Sequence, residues 1–145
     1  MSLYSDIIRN LQTTFANELS SYTVYFDDNI PDSPADHYIN IKFQLINDFE
    51  QKTTLTSSNE ASFYQDILIV FECRQKMRSA SAWRYDAVYN IQEVLNKRNL
   101  LPIQLNPLTP NVLFNAKSAT SKDQMYDMAV IEAPYQIISR RSVSI

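Results

Sequence analysis

The chain contains no glycine. At an average usage of about 7%, a chain of this length would carry roughly ten. That absence excludes the glycine-dependent phosphate loops, the dinucleotide fingerprint and the nucleophile elbow together. It also removes the residue best suited to positive φ, so tight turns must use Asn or Asp, or give way to longer loops. Catalytic backbones that approach a substrate closely commonly need glycine, and the composition therefore argues against an enzyme. Cysteine is nearly absent as well. Cys73 is the single one, which rules out an internal disulfide and a cysteine zinc site, and fits a reducing compartment. His37 is the only histidine. No apolar run is long enough for a bilayer, and Asp6 and Arg9 interrupt the first apolar turn, unlike a signal peptide.

What is present describes a folded domain. The 145 residues are 45% hydrophobic and 20% charged, enough for one core in one domain spanning 1–145. A net charge of −3 gives no general electrostatic reason to hold nucleic acid.

The stretch 62–99 is the centre of the pattern. Phe63, Ile67, Ile69, Phe71 and Cys73 share one face of a period-2 strand over Phe63–Met77, and Tyr64, Leu68 and Val70 give its other face apolar character. A strand apolar on both sides belongs in the middle of a sheet. From about Ser79, Trp83, Ala87, Val88, Ile91, Val94 and Leu95 recur at three- and four-residue steps as one helical stripe, with Trp83 in the core. Lys97 and Arg98 suit that helix's C-terminal end, Glu93 can pair with Lys97, and Asn99 stands where a C-terminal glycine cap would.

Residues 2–20 predict a first helix with Ser2 as N-cap and a stripe of Leu3, Ile7, Ile8, Leu11, Phe15 and Leu19. Tyr22–Phe26 predicts a short strand. Tyr38–Ile46 predicts a one-sided strand: Ile39, Ile41, Phe43 and Leu45 point to the core, while Tyr38, Asn40, Lys42 and Gln44 point to solvent or a partner. Leu100–Pro110, with three prolines, predicts an extended linker. Strands follow at Asn111–Lys117 and Met125–Ala133, and Pro134 should break pairing or mark an edge. The expected fold is α+β: a mixed or antiparallel sheet of about five strands, an N-terminal helix, and a second helix packed on the sheet.

Four groups of residues invite a chemical reading. Asp27, Asp28, Asp32 and Asp36 lie near His37, with Pro31 and Pro34 among them. The spacing lacks the alternating ligands and glycine of a calcium loop, so a solvated connector outweighs a metal site. His37 beside Asp36 has no serine in a nucleophile motif to complete a triad. Arg74, Lys76, Arg78 and Arg84 could receive phosphate, but few aromatics interleave them, and a solvated strand end is the simpler account. The long polar loop 47–61, which includes Thr53, Thr54, Thr56, Ser57 and Ser58, offers hydrogen bonds without acid–base chemistry. Loops of that length are usually functional or disordered, and contact with another protein is the functional reading.

The element order, the opening helix Leu3–Leu19, the run Phe63–Phe71 into Ser79–Leu95 and the closing Met125–Ile138 strand resemble the tail-terminator (tail-completion, or neck) proteins of long-tailed bacteriophages. The resemblance rests on arrangement and size. It implies a structural virion protein, assembled in the host cytoplasm, without cofactor or metal. It would form a homo-oligomeric ring, a hexamer, that caps the tail-tube protein and meets the head–tail connector protein. DNA would pass through the lumen without specific binding, and no membrane is involved. On this reading the partner interface comprises Asn47, Phe49, Thr53, Leu55 and Asn59 of the long loop, and Tyr135, Ile137, Ile138, Arg140 and Arg141 of a C-terminal segment 134–145. The carboxylates of Asp27, Asp28, Asp32 and Asp36 would face the lumen. Two rival readings are a hydrolase or nuclease using Asp27, Asp28, Asp32 and His37, and a monomeric ligand-binding α+β module. Convergence of those side chains in a pocket would favour the first; a monomer with a closed apolar pocket would favour the second.

Overall fold

The computed structural model describes residues 2–46, 51–52, 60–76, 82–119 and 125–142. The fold is α+β, one mixed sheet with two helices on one face. In chain order the elements are α1 (Leu3–Glu18), β1 (Val24–Phe26), β2 (His37–Leu45), β3 (Gln51–Lys52), β4 (Glu60–Lys76), α2 (Trp83–Leu95), β5 (Leu105–Pro107), β6 (Asn111–Ala119) and β7 (Met125–Ser142), with a 3₁₀ turn at Arg98–Leu100. The sheet order is β1-β2-β4-β7-β5. β3 adds to β4 beside β2, and β6 adds to β7 beside β5. The sheet is therefore five strands wide, although seven strands build it.

β4 is central, as its two apolar faces require. β2 lies antiparallel on one side, with Ile41 opposite Phe71, and β7 lies antiparallel on the other, from Glu60 opposite Ser142 to Lys76 opposite Tyr126. β1 pairs parallel to β2, Val24 opposite Ile39. The odd-numbered side chains of β4, among them Ile67, Ile69, Phe71 and Cys73, point to the helices. Ile7, Leu11 and Phe15 of α1 and Ala87, Val88, Ile91 and Val94 of α2 close over them. Phe15 packs edge-on against Phe71 with ring centroids 5.1 Å apart. Ser2 caps α1, its hydroxyl accepting the Ser5 N–H at 3.1 Å.

Several expectations are corrected. β7 does not stop at Pro134 but runs on to Ser142. Pro134 turns its carbonyl to the Leu108 N–H, 3.0 Å away, so its nitrogen also faces away from β4. The missing N–H therefore removes no bond from the β4 ladder. The 100–110 segment contributes β5, three residues paired with Tyr135–Ile137. α2 ends at Leu95, with Asn96 rather than Asn99 as its C-cap, and Lys97 bonds Glu18 of α1 at 3.6 Å rather than Glu93. Trp83 is half-buried at the rim, against the rings of Tyr22 and His37, and not in the core. The expected start of α2 at Ser79, and Arg78, lie outside the described residues.

Candidate functional site

The helix-free face of the sheet carries most of the polar side chains that the fold buries. Tyr38 and Asn40 of β2, expected to face outward, are fully buried. Two features cover them. The loop that leaves β1 crosses this face, and its entry uses two left-handed residues, Asp27 (φ 51°) and Asp28 (φ 62°). Aspartate tolerates that region, and in a glycine-free chain it makes the turn. Asp27 Oδ1 accepts the Phe43 N–H at 3.1 Å, and Asp28 brackets Asn40: its carboxylate accepts from Asn40 Nδ2 at 2.7 Å while its N–H donates to Asn40 Oδ1 at 3.2 Å. The second feature is a trio of tyrosines. Tyr25 and Tyr126 each pack edge-on against Tyr38, at 5.1 and 5.4 Å.

Glu72 is the hub beneath them. It accepts from Asn40 Nδ2 at 2.9 Å and from an Arg74 terminal nitrogen at 2.7 Å, and it pairs with Lys42 at 3.3 Å. Arg74 also donates to the Tyr38 hydroxyl at 3.1 Å. Burial pulls the Arg74 guanidinium toward lower pKa, but the Tyr38 hydrogen bond and the Glu72 charge outweigh it, so the group is held more firmly protonated. Arg74 Nε is buried and makes no hydrogen bond among the described residues. Two carboxylates, Asp28 and Glu72, face two cations, Lys42 and Arg74, so the cluster is neutral. Such a network is suited to holding strands in register; it offers no free acid, base or nucleophile. Arg74 is consumed here and is not available as a phosphate site.

The residues singled out from the sequence scatter. Asp28 serves the network, Asp36 sits 3.7 Å from Lys76, and His37 Nδ1 lies 2.9 Å from the Asp36 carbonyl with its ring on Trp83. None of the described pockets is lined by Asp27, Asp28, Asp32 or His37. Among the described residues no three His, Cys, Asp or Glu side chains are grouped to hold a metal ion. Cys73 is buried under the helices, and burial, with the Glu72 charge adding, pushes its thiol up to about 12.

The assignment of the C-terminal segment to a partner is corrected for Tyr135 and Ile137. Tyr135 and Ile137 are 4% and 2% exposed and belong to this chain's own core. They alternate inward along β7 in the same period as Ile131 and Ala133, and β4 and β5 pair with them on either side. Burial raises the Tyr135 phenol. Ile138 falls on the helix-free face opposite Tyr64, half-buried. Arg140 and Arg141 are exposed, with the Arg141 guanidinium 3.9 Å over the Phe63 ring. Asn47, Phe49, Thr53, Leu55 and Asn59 lie outside the described residues.

Sequence reasoning missed the surface beside α2 and the β5–β6 edge. Tyr89, Leu95, Pro110, Val112 and Ile131 line one shallow groove there, and Leu108, Pro134 and Tyr135 line its continuation. Tyr85 and Tyr89 fall four apart on α2 and off its buried stripe, a signal that the sequence does contain. Among the described residues no helix is long and apolar enough to cross a membrane. No protein-family model matches this chain, and no curated protein sequence matches it significantly.

Proposed function

We propose that the chain is a structural, ring-forming protein of the phage tail-terminator kind, which caps a tail tube and joins it to the head connector. The observation that supports this reading best is the use of its polar groups. The polar cluster around Glu72 is neutral, internally bonded and spent on fixing strands, while the described pockets are open to the surface. A fold that invests its charges in rigidity and leaves apolar side chains at one sheet edge suits assembly better than turnover. The net charge of −3, with Arg74 taken up by Glu72, suits a channel along which DNA slides without sticking.

The test is native mass, alone and with a tail-tube protein. A closed oligomer that binds the end of preformed tubes and stops their growth is the expected result. A monomer indifferent to tubes would sink the proposal.

A further inference from the structure

The sheet ends in two unlike edges. One is β1, three residues long; the other is shared by β5 and β6, which pair with successive parts of β7, and β6 is the longer of the two. We infer that the β6 edge receives the β1 edge of a second copy of this chain, so that one sheet continues into the next. This deepens the ring reading and rests on it for closure, but not for the contact itself.

Backbone direction gives both edges free groups. Ile39 N–H donates to the Thr23 carbonyl at 2.9 Å, which turns Thr23 and Tyr25 toward β2 and leaves Val24 and the Phe26 N–H facing out, while the Phe26 carbonyl accepts the Asn29 N–H at 3.0 Å. On the other side, Pro134 and Ile138 of β7 direct their backbone outward to Leu108 and Gln104. The same parity makes Glu132 and Val130 the bonding partners of Asn111 and Leu113, and leaves Val112 facing away. β6 pairs regularly over Asn111–Leu113 and again over Ala116–Ala119, with a bulge between the two stretches. The first stretch has the three-residue length of β1. A bulge shields the remainder of an edge, as natural sheets require.

Side chains point the same way. Of the eight large hydrophobics that stand exposed among the described residues, Tyr85, Tyr89, Leu108, Leu113 and Phe114 flank this one edge. The facing edge offers Tyr22, Val24, Phe26 and Ile30, all half-buried. Charge then separates two ways of pairing copies. Arg84 sits at the middle of β6, its Nε 3.3 Å from the Phe114 carbonyl and a terminal nitrogen 3.3 Å from Asn115 Oδ1. It has no acidic partner among the described residues. Two β6 strands paired about their midpoints would set Arg84 against Arg84. The β1 edge instead continues into Asp27–Asp36, which contains no Lys or Arg and four carboxylates, of which Asp28 and Asp36 already pair with Lys42 and Lys76, while Asp27 and Asp32 have no such pair among the described residues. Head-to-tail pairing is therefore favoured, and such a contact builds a ring where its rotation closes and an open filament where it does not.

The experiment uses two edge-blocking variants of the full chain. Val112→Pro and Val24→Pro each remove an outward N–H and spare the chain's own ladders. Far-UV circular dichroism and thermal melting confirm that each folds. Each alone should be monomeric by native mass, and an equimolar mixture should form a complex of two chains, since each retains the edge that the other lacks. Arg84→Glu, which reverses the charge, keeps both outward N–H groups and gives up the Phe114 carbonyl bond, should weaken association by at least about tenfold, and Asp32→Lys in the same chain should recover part of it. Self-association of Val24→Pro alone overturns head-to-tail pairing, as does unchanged affinity in Arg84→Glu. An oligomer that survives both proline variants also overturns the edge contact while leaving the ring reading standing. Open polymers abolished by either variant uphold the contact and reject the ring. A wild-type chain that stays monomeric at every concentration overturns the inference.

Discussion

At the scale of single residues, burial decides chemistry. The Cys73 thiol is fully buried and pushed up to about 12, above the ordinary thiol value near 8.5. At pH 8 only about one thiol in ten thousand would be ionised. Alkylation by iodoacetamide in the folded protein should therefore be far slower than in urea, with a rate that tracks global unfolding. The sign of the linkage follows. A thiol whose folded value is raised keeps its stabilising contribution below the unfolded value and loses it as pH climbs from about 8.5 toward 12. Denaturation midpoints should fall over that alkaline window in the wild type and fall less in Cys73→Ala. Glu72 makes a second case. It compensates two cations at once, both of them well shielded, Arg74 most of all. Glu72→Ala should cost about 3–5 kcal/mol in urea titration, because it strands a buried guanidinium. A cost under about 1 kcal/mol would mean that the network is incidental.

At the scale of elements, what was legible in the sequence was periodicity. The stripes of α1 and α2 and the inward rows of β2 and β4 stand out because those faces meet the core along most of their length, although Leu45 at the end of β2 is exposed. Asp at the positive-φ positions followed from the missing glycine. The outer face of β2 was misread, because Tyr38 and Asn40 look like solvent residues until a loop folds over them, and loop placement leaves no period. β7 was cut short at Pro134, since the direction in which a proline's nitrogen faces is set by the sheet. The start of α2 was equally hidden. Its N-cap position, Ala82, has no capping side chain, and the Arg84 N–H donates instead to Gln75 Oε1 of β4 at 3.3 Å. A cap supplied by a different element cannot be read from local spacing. Gln75→Leu should cost about 1–2 kcal/mol and loosen amide exchange in the first turn of α2 while leaving its last turn unchanged. Trp83, at the rim, should cost about 1–3 kcal/mol when cut to Ala, below the value for a fully buried ring.

At the scale of the whole molecule, β7 joins the parts. It runs antiparallel to all of β4 on one side, and on the other it carries both β5 and β6. Its inward residues Ala129, Ile131, Ala133, Tyr135 and Ile137 form one row of the core under α2. Two truncations should therefore behave very differently. Ending the chain after Ile138 leaves that row intact and removes only the end of the strand, where Arg140 and Arg141 are exposed. This form should keep a cooperative thermal transition. Ending it after Pro134 deletes Tyr135 and Ile137, each worth about 1.5–3 kcal/mol of burial, and leaves β5 without a partner. Against a typical total of about 5–15 kcal/mol, the loss of both side chains and a ladder consumes most of the margin. The shorter form should show a broad, non-cooperative melt and bind a hydrophobic dye. If it instead melted cooperatively near the wild-type temperature, Tyr135 and Ile137 would be dispensable to the domain, and an intermolecular role for that stretch would be restored.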